Sequence, residues 1–512
     1  MGNLPPIGVS LRLPLEIPAP VYLSDHLFQG RPVLPAVEAM DAMAREVNRL
    51  YPDYDITCIS DARFEKFLPI DSQKDYLDAF LDLQLSGTGD LHAALITRTR
   101  APGAAITRTK THARLIFPGS APPISPLPLD VAAAPEGICV PIAADRIYRD
   151  LVPFGPAYKN LQDPLWLGTD GALGIVCPPL PPSETVSLLG SPFALDAAFH
   201  AACVWAQHYH DMVAFPVGID HRRIFIPTQA GHRYYARILP QTLSADLLMF
   251  NIWLFDETGN LCESAQGVHM RDVSGGRLKP PEWISRKRPE DPLADLRARC
   301  ESLSIVELAA VAPFAEMTLS PLEKARFEKM GAVLRRKSFL AARIALKRLF
   351  RRQQGENSQL LPREIETVCA DSTKPRCFHK DNPLQLNCSL SHDNRFAVAV
   401  LSHGSVGVDV EPVSDKALTS ARLFMSEKEQ QIVTQSALAP HQAAVRVWSA
   451  KEAVSKATGM ALADAWQRVQ LVEIGEKESR LSMEGKGPFA VAHAPVDDHV
   501  VTLFTVAEDH TP

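Results

Sequence analysis

Four ionisable residues in the last third of this 512-residue chain are spaced for cation chemistry. Asp409 and Glu411 stand two apart in the β-branched run Val406-Gly407-Val408-Asp409-Val410-Glu411, so on a strand they share a face. Glu452 and Lys456 stand four apart in Trp448-Ser449-Ala450-Lys451-Glu452-Ala453-Val454-Ser455-Lys456, so on a helix they also share a face. Three carboxylates brought together, with waters and phosphate oxygens completing the shell, suit Mg²⁺. Each run alone has a plainer reading. Asp-x-Glu fits a solvated strand edge, and Ser449-x-x-Glu452 fits a helix capping box. Their occurrence together favours the metal reading.

The rest of the chain must build the elements that bring these groups together. Hydrophobic residues make up 46% and charged residues 22% of it, an ordinary globular balance. At this length two to four domains are expected. The net charge of −6 leaves no nucleic-acid footprint. Nine cysteines occur singly, without a C-x-x-C pair, which points to reduced thiols in a cytoplasmic protein. An apolar run long enough for a membrane span is absent, and so is a signal peptide at the N-terminus.

Proline clusters mark the seams. Ala121-Pro122-Pro123-Ile124-Ser125-Pro126-Leu127-Pro128 and Lys279-Pro280-Pro281 can hold neither helix nor central strand. The expected organisation is therefore 1–118, a connector at 119–140, 141–275, a linker at 276–294, and 295–512. The first two blocks look like versions of each other. Each has one apolar helix, opened by Pro35 or Pro192, followed by alternating strand-like runs such as Tyr76 to Leu85 and Leu247 to Phe255. That pattern predicts a tandem α+β arrangement of one helix wrapped by an antiparallel sheet, twice over. The third block mixes helices (Pro321 to Arg352, Ser426 to Ser436, Pro440 to Thr458) with short strands (Phe396 to Leu401, Ser405 to Val410, His499 to Thr505).

The N-terminal half carries His26-Leu27-Phe28-Gln29-Gly30-Arg31-Pro32-Val33-Leu34-Pro35, then Pro153-Phe154-Gly155-Pro156-Ala157-Tyr158, then Leu195-Asp196-Ala197-Ala198-Phe199-His200. In that order these resemble the signatures of polyketide-synthase and fatty-acid-synthase dehydratases, which are double hotdog folds. Phe154 stands where tyrosine is usual. The resemblance implies His26 as base at C2 of a 3-hydroxyacyl thioester, and Asp196 as acid at the C3 hydroxyl. A neutral imidazole suits the first task. A carboxyl whose pKa is raised in an apolar helix suits the second. His200, one turn on, would orient it. Gly30, Pro35, Phe154, Gly155 and Pro156 would shape the substrate path, with a backbone N–H near Gly30 at the thioester carbonyl.

The C-terminal motifs resemble the 4′-phosphopantetheinyl transferases, of the surfactin-synthetase-activating type. Arg336-Lys337-Ser338-Phe339-Leu340-Ala341-Ala342-Arg343, Lys374-Pro375 and Asn387-Cys388-Ser389-Leu390-Ser391-His392 resemble further pieces of that family. The implied fold is a pseudo-twofold α+β unit. Coenzyme A would be the phosphopantetheine donor, with Arg343, Lys374, Pro375, Ser391 and His392 at its nucleotide end and Lys451 and Lys456 at its phosphates. Asp409, Glu411 and Glu452 would hold Mg²⁺, and Glu452 would also serve as base. The implied partner is an acyl carrier protein or carrier domain.

The expected protein is thus a bifunctional enzyme of polyketide or fatty-acid synthesis, ordered as at the C-terminal end of enediyne or polyunsaturated-lipid synthases. A non-catalytic carrier-docking module and a product-shaping, cyclase-like double hotdog are the alternatives for the N-terminal half. Since dehydratases of this kind are often dimers, a homodimer through that half is also expected.

Overall fold

A computed structural model describes residues 7–100, 107–180, 187–285, 291–355, 360–368, 375–379, 382–383, 385–484 and 486–506. The chain divides into two compact units, 1–127 with 140–288, and 128–139 with 289–512.

The first unit is built on one antiparallel sheet of twelve strands. Its first half runs Ser10–Pro18, Tyr76–Leu85, Leu91–Arg100, Thr107–Phe117, Cys58–Phe64, and its second half runs Phe215–Ile224, Leu261–Arg271, Leu248–Asp256, Tyr234–Leu243, Gly171–Val176, Leu161–Gly168, Val140–Ile142. The halves join where Cys58–Phe64 pairs with Phe215–Ile224, Ile219 opposite Ala62. The expected blocks 1–118 and 141–275 are therefore the two halves of one sheet. Each half wraps one helix. Ala36–Leu50 buries Val37, Met40, Met43 and Val47 along one stripe, the spacing that helical periodicity dictates. Pro192–His210 is buried on nearly every side, from Phe193 to His208. Its Ala-rich sequence allows strands to close around it, and proline at its first position is pre-set for a helix start. This is the double hotdog architecture.

The second unit repeats one design. In its first half the helix Val333–Gln353 packs on the sheet Ser302–Glu307, Phe396–Ser402, Asn387–His392. In its second half the helix Pro440–Thr458 packs on Val406–Pro412, His499–Thr505, Lys486–Val496, Glu478–Met483, Val469–Ile474. A buried capping box precedes each. Ser320 and Glu323 cap Pro321–Glu328, and Ser426 and Glu429 cap Glu427–Gln435. Each glutamate then receives a buried lysine from the long helix, Lys347 on Glu323 at 2.5 Å and Lys451 on Glu429 at 2.8 Å. Each lysine also donates to a carbonyl two residues before the capping serine, Thr318 and Phe424. The pseudo-twofold reading is thus visible at the level of single hydrogen bonds.

Two sequence expectations need correction. The stretch Pro321 to Arg352 is two helices, Pro321–Glu328 and Val333–Gln353, parted around Gly331, a residue that weakens helix interiors. The connector 119–140 is not uniformly a spacer. Its part 128–139 belongs to the second unit and contains the short helix Leu129–Ala132. Arg351 donates to both Asp130 carboxylate oxygens at 2.9 and 3.0 Å, Arg348 to the carbonyls of Asp130 and Ala134, and Cys139 N–H to Glu307 at 2.9 Å.

Candidate active sites

In the first unit a cavity of about 1150 Å³ is lined by His26, Phe154, Asp196, Phe199, His200 and Cys203, among others. His26 caps the turn Val21–Asp25. Its Nδ1 lies 3.0 Å from the Val33 carbonyl oxygen. A carbonyl can only accept, so Nδ1 carries the hydrogen and Nε2 keeps its lone pair. Burial holds the imidazole below its ordinary pKa, against the opposing pull of Asp196. It is a neutral base in waiting. The ring stacks on Phe154, centroids 4.5 Å apart, and meets the edge of Tyr158.

The loop that supplies Phe154 is tied to His26's own neighbour. Gly155 N–H donates to the Asp25 carbonyl, and Ala157 N–H donates to the Asp25 carboxylate, each at 2.9 Å. A Cβ on Gly155 would overlap that carboxylate, so the glycine permits the approach. Pro156 starts the 3₁₀ turn Pro156–Tyr158, and Pro35 is the N-cap of the first hotdog helix. Gly30 lies at a hairpin tip. With Gln29 it forms the tip of the hairpin Leu27–Phe28, Arg31–Pro32, both at positive φ (50° and 76°). Its position is exposed, and a Cβ added there would meet no atom within 4 Å. The glycine serves the turn.

Asp196 and His200 share one face of the second hotdog helix. Their Oδ2 and Nε2 atoms lie 3.0 Å apart, yet neither atom makes an aligned hydrogen bond. Both side chains are buried. Burial is the largest influence on Asp196 and pushes its carboxyl up; attraction to His200 and His26 outweighs it and brings the net direction down. The expected upward shift therefore meets a counterweight one helical turn away. Tyr148, unmarked by any sequence motif, sits behind His200 with its hydroxyl 3.4 Å from Nδ1.

In the second unit the strand and helix that carry the acidic motifs meet. Ligand oxygens of Asp409, Glu411 and Glu452 all lie within 4.8 Å of one another. Asp409 is 1% exposed. Its Oδ1 accepts from Ser391 at 2.8 Å and from Lys456 at 2.7 Å. Its Oδ2 is buried without a hydrogen-bond partner. Trp448 Nε1 donates to Glu411 at 3.2 Å. Burial and then the charge of Asp409 push Glu411 up to about 7 and Glu452 up to about 8. Burial works against the Lys456 cation, but the surrounding carboxylates raise its pKa and keep it charged. One ammonium is thus too little charge for three carboxylates. An orphaned buried oxygen and an all-oxygen donor set fit a hard divalent cation.

The other expected ligands differ in their surroundings. His392 opens to solvent at the end of its strand. Desolvation, then the cations Lys456 and Arg343, lower its pKa, which places three basic groups around one region. Arg343 stacks over Phe339 at 4.1 Å and lies 3.7 Å from Glu323. Ser391 spends its hydroxyl on Asp409 and receives Lys456 at 2.9 Å, so it braces the carboxylates. Lys451 is corrected outright. It is fully buried on Glu429 and on the carbonyls of Phe424 and Trp466, because residues 451 and 456 lie on different faces of the helix. The Pro375 carbonyl accepts from the Cys388 thiol, and Lys374 lies outside the described residues.

Residues 126–280 match the polyketide synthase dehydratase N-terminal domain, and residues 405–504 match the 4′-phosphopantetheinyl transferase superfamily. A curated relative, one of the polyunsaturated fatty acid synthase proteins of Thraustochytrium sp., is 24% identical over 221 residues. The match covers 41% of this chain and 8% of that much longer protein. Among solved structures, the dehydratase domain of a mycocerosic acid synthase-like polyketide synthase is 18% identical, with a TM-score of 0.42 over 53% of this chain and 94% of that one. A trans-AT polyketide synthase dehydratase domain from Brevibacillus brevis is 17% identical, with a TM-score of 0.42 over 52% and 94%.

Proposed function

We infer that this chain, which joins a polyketide-synthase-type dehydratase domain to a 4′-phosphopantetheinyl transferase domain, is a bifunctional enzyme of acyl-chain assembly. One unit removes water from a 3-hydroxyacyl-carrier protein to give the 2-enoyl-carrier protein. The other moves phosphopantetheine from coenzyme A to a carrier-protein serine. One observation carries both readings. In each unit a buried carboxylate keeps an oxygen without a hydrogen bond, Asp196 Oδ2 and Asp409 Oδ2. Such atoms are costly unless a ligand completes them.

For dehydration, Nε2 of His26 takes the proton from C2 of the substrate. The Asp196 carboxyl, oriented by His200, receives the C3 hydroxyl and gives its proton to that oxygen as the C–O bond breaks, so that water leaves. Phe154 and Phe199 line the cavity in which this happens. For transfer, Asp409, Glu411 and Glu452 would hold Mg²⁺, which supplies charge neutralisation at the pyrophosphate. Arg343 holds the nucleotide end as a cation suited to phosphate, and His392 joins it as a neutral hydrogen-bonding imidazole. Glu452 accepts the proton of the serine hydroxyl, and Lys456 stands by the phosphate that leaves with 3′,5′-adenosine diphosphate.

Two assays on the full chain test the reading. A purified apo-carrier with coenzyme A and Mg²⁺ should gain the mass of phosphopantetheine. A 3-hydroxyacyl holo-carrier should lose the mass of one water, and His26→Ala or Asp196→Asn should stop that loss while carrier loading continues. Dehydration that survives both substitutions would overturn the site assignment.

A further inference from the structure

Tyr148 lies in the turn Ile147–Leu151, next to neither acid–base residue in sequence. Its oxygen accepts two backbone hydrogen bonds, from Asn160 N–H and Leu161 N–H, each at 2.9 Å. Two acceptances occupy a phenol oxygen. The hydroxyl hydrogen is left to donate, and His200 Nδ1 stands 3.4 Å away, the rings edge to face at 5.8 Å. Tyr148, His200 and Asp196 are all buried.

We propose that Tyr148 is a positioning residue for the dehydration, fixing His200 as the neutral tautomer with its hydrogen on Nε2, the nitrogen that faces Asp196. The proposal rests on the dehydratase reading above. An Nδ1 that receives a hydroxyl hydrogen cannot carry one of its own. His200 is then not a cation. The attraction that would hold Asp196 ionised is removed, and burial, which favours the uncharged carboxyl, is left in command. Nε2 stands 3.0 Å from Asp196 Oδ2, without an aligned hydrogen bond. The contact is loose here, as catalytic hydrogen bonds commonly are before substrate binds.

Glutamine at 200 satisfies the same logic. Its carbonyl would accept from Tyr148 and its amide would donate to Asp196.

The test uses the full chain with ring-¹⁵N histidine, in wild type and in Tyr148→Phe. Carrier loading by the other unit serves as an internal control of folding. Wild-type His200 should show the Nε2–H tautomer. Tyr148→Phe should move it toward Nδ1–H or a mixture. Dehydration kcat should fall by roughly tenfold or more, with KM little changed and loading intact. His200→Gln should keep most of the dehydration rate.

Because removing the phenol strands two buried N–H groups, His200→Leu is a second probe. It leaves Tyr148 and its two acceptances in place and should lose the dehydration that His200→Gln keeps. An Nδ1–H tautomer in wild type, or a Tyr148→Phe enzyme with unchanged tautomer and kcat, would overturn the proposal. A wild type that loads carriers and does not dehydrate would instead overturn the dehydratase reading, while the tautomer measurement still reports on Tyr148.

Discussion

Gly407 lies directly against Ala453, so that a Cβ built on the glycine would overlap the Ala453 carbonyl oxygen. This contact brings the strand Val406–Pro412 close to the helix Pro440–Thr458, and with it Asp409 and Glu411 close to Glu452. A strand glycine commonly marks such an approach. Gly407→Ala should force strand and helix apart, costing about 1–3 kcal/mol for overpacking. It should weaken carrier loading by much more than it weakens dehydration. Thermal unfolding and the two assays on one preparation read this directly, and unchanged loading would count against the contact as the positioning device.

Without a cation, the second unit should become less stable as pH rises. The folded-state pKa values of Glu411 and Glu452 are raised, to about 7 and about 8, from an ordinary value near 4.3. A carboxyl raised on folding contributes stability below its unfolded value and loses it through the folded one. The window is therefore roughly pH 4 to 8. Mg²⁺ competes with those protons, so its stabilising effect should grow with pH across the same window. Melting curves with chelator or with Mg²⁺ would show the divergence, and parallel pH profiles would refute it.

Lys451 should prove structural. Replacing a buried ion-pair lysine with methionine leaves Glu429 uncompensated and costs about 3–5 kcal/mol. Lys451→Met should thus lower the melting temperature, and Lys347→Met should do the same in the other half. The folded fraction should keep its KM for coenzyme A. A raised KM with full stability would return Lys451 to the phosphates.

Much of this was legible in the chain. The ends of Pro440–Thr458 follow from proline at its first position and Gly459 just beyond, at φ 75°. Both hotdog helices follow from Pro35 and Pro192 and the apolar runs behind them. The carboxylates could be paired because strand and helix periodicities put them on single faces. Lys451 misled because helical spacing says which residues share a face, not which face is buried. The lysine's burial shows only when its half is laid over the Glu323–Lys347 half. Tyr148 gave no signal, since its relation to His200 spans 52 residues. The segment 128–139 read as spacer because its proline content is local information, while its partners Arg348 and Arg351 lie more than 200 residues away.

That segment makes its own prediction. Residues 289–512 expressed alone lack Asp130 and Glu136, which pair with Arg351 and Arg352. They should unfold at lower temperature and load carriers poorly. A peptide of residues 127–140 added in trans should restore part of both. A truncated unit as stable and active as the full chain would show the segment to be dispensable.

The central claim is that carboxylates from one strand and one helix hold a single divalent ion. Mn²⁺ titration followed by electron paramagnetic resonance, on wild type and on Asp409→Asn and Glu452→Gln, tests it most directly. The expected result is one tightly bound Mn²⁺ per wild-type chain, displaced by Mg²⁺, with both variants folded and binding it at least roughly tenfold more weakly. Equal Mn²⁺ binding by wild type and both variants would contradict the account.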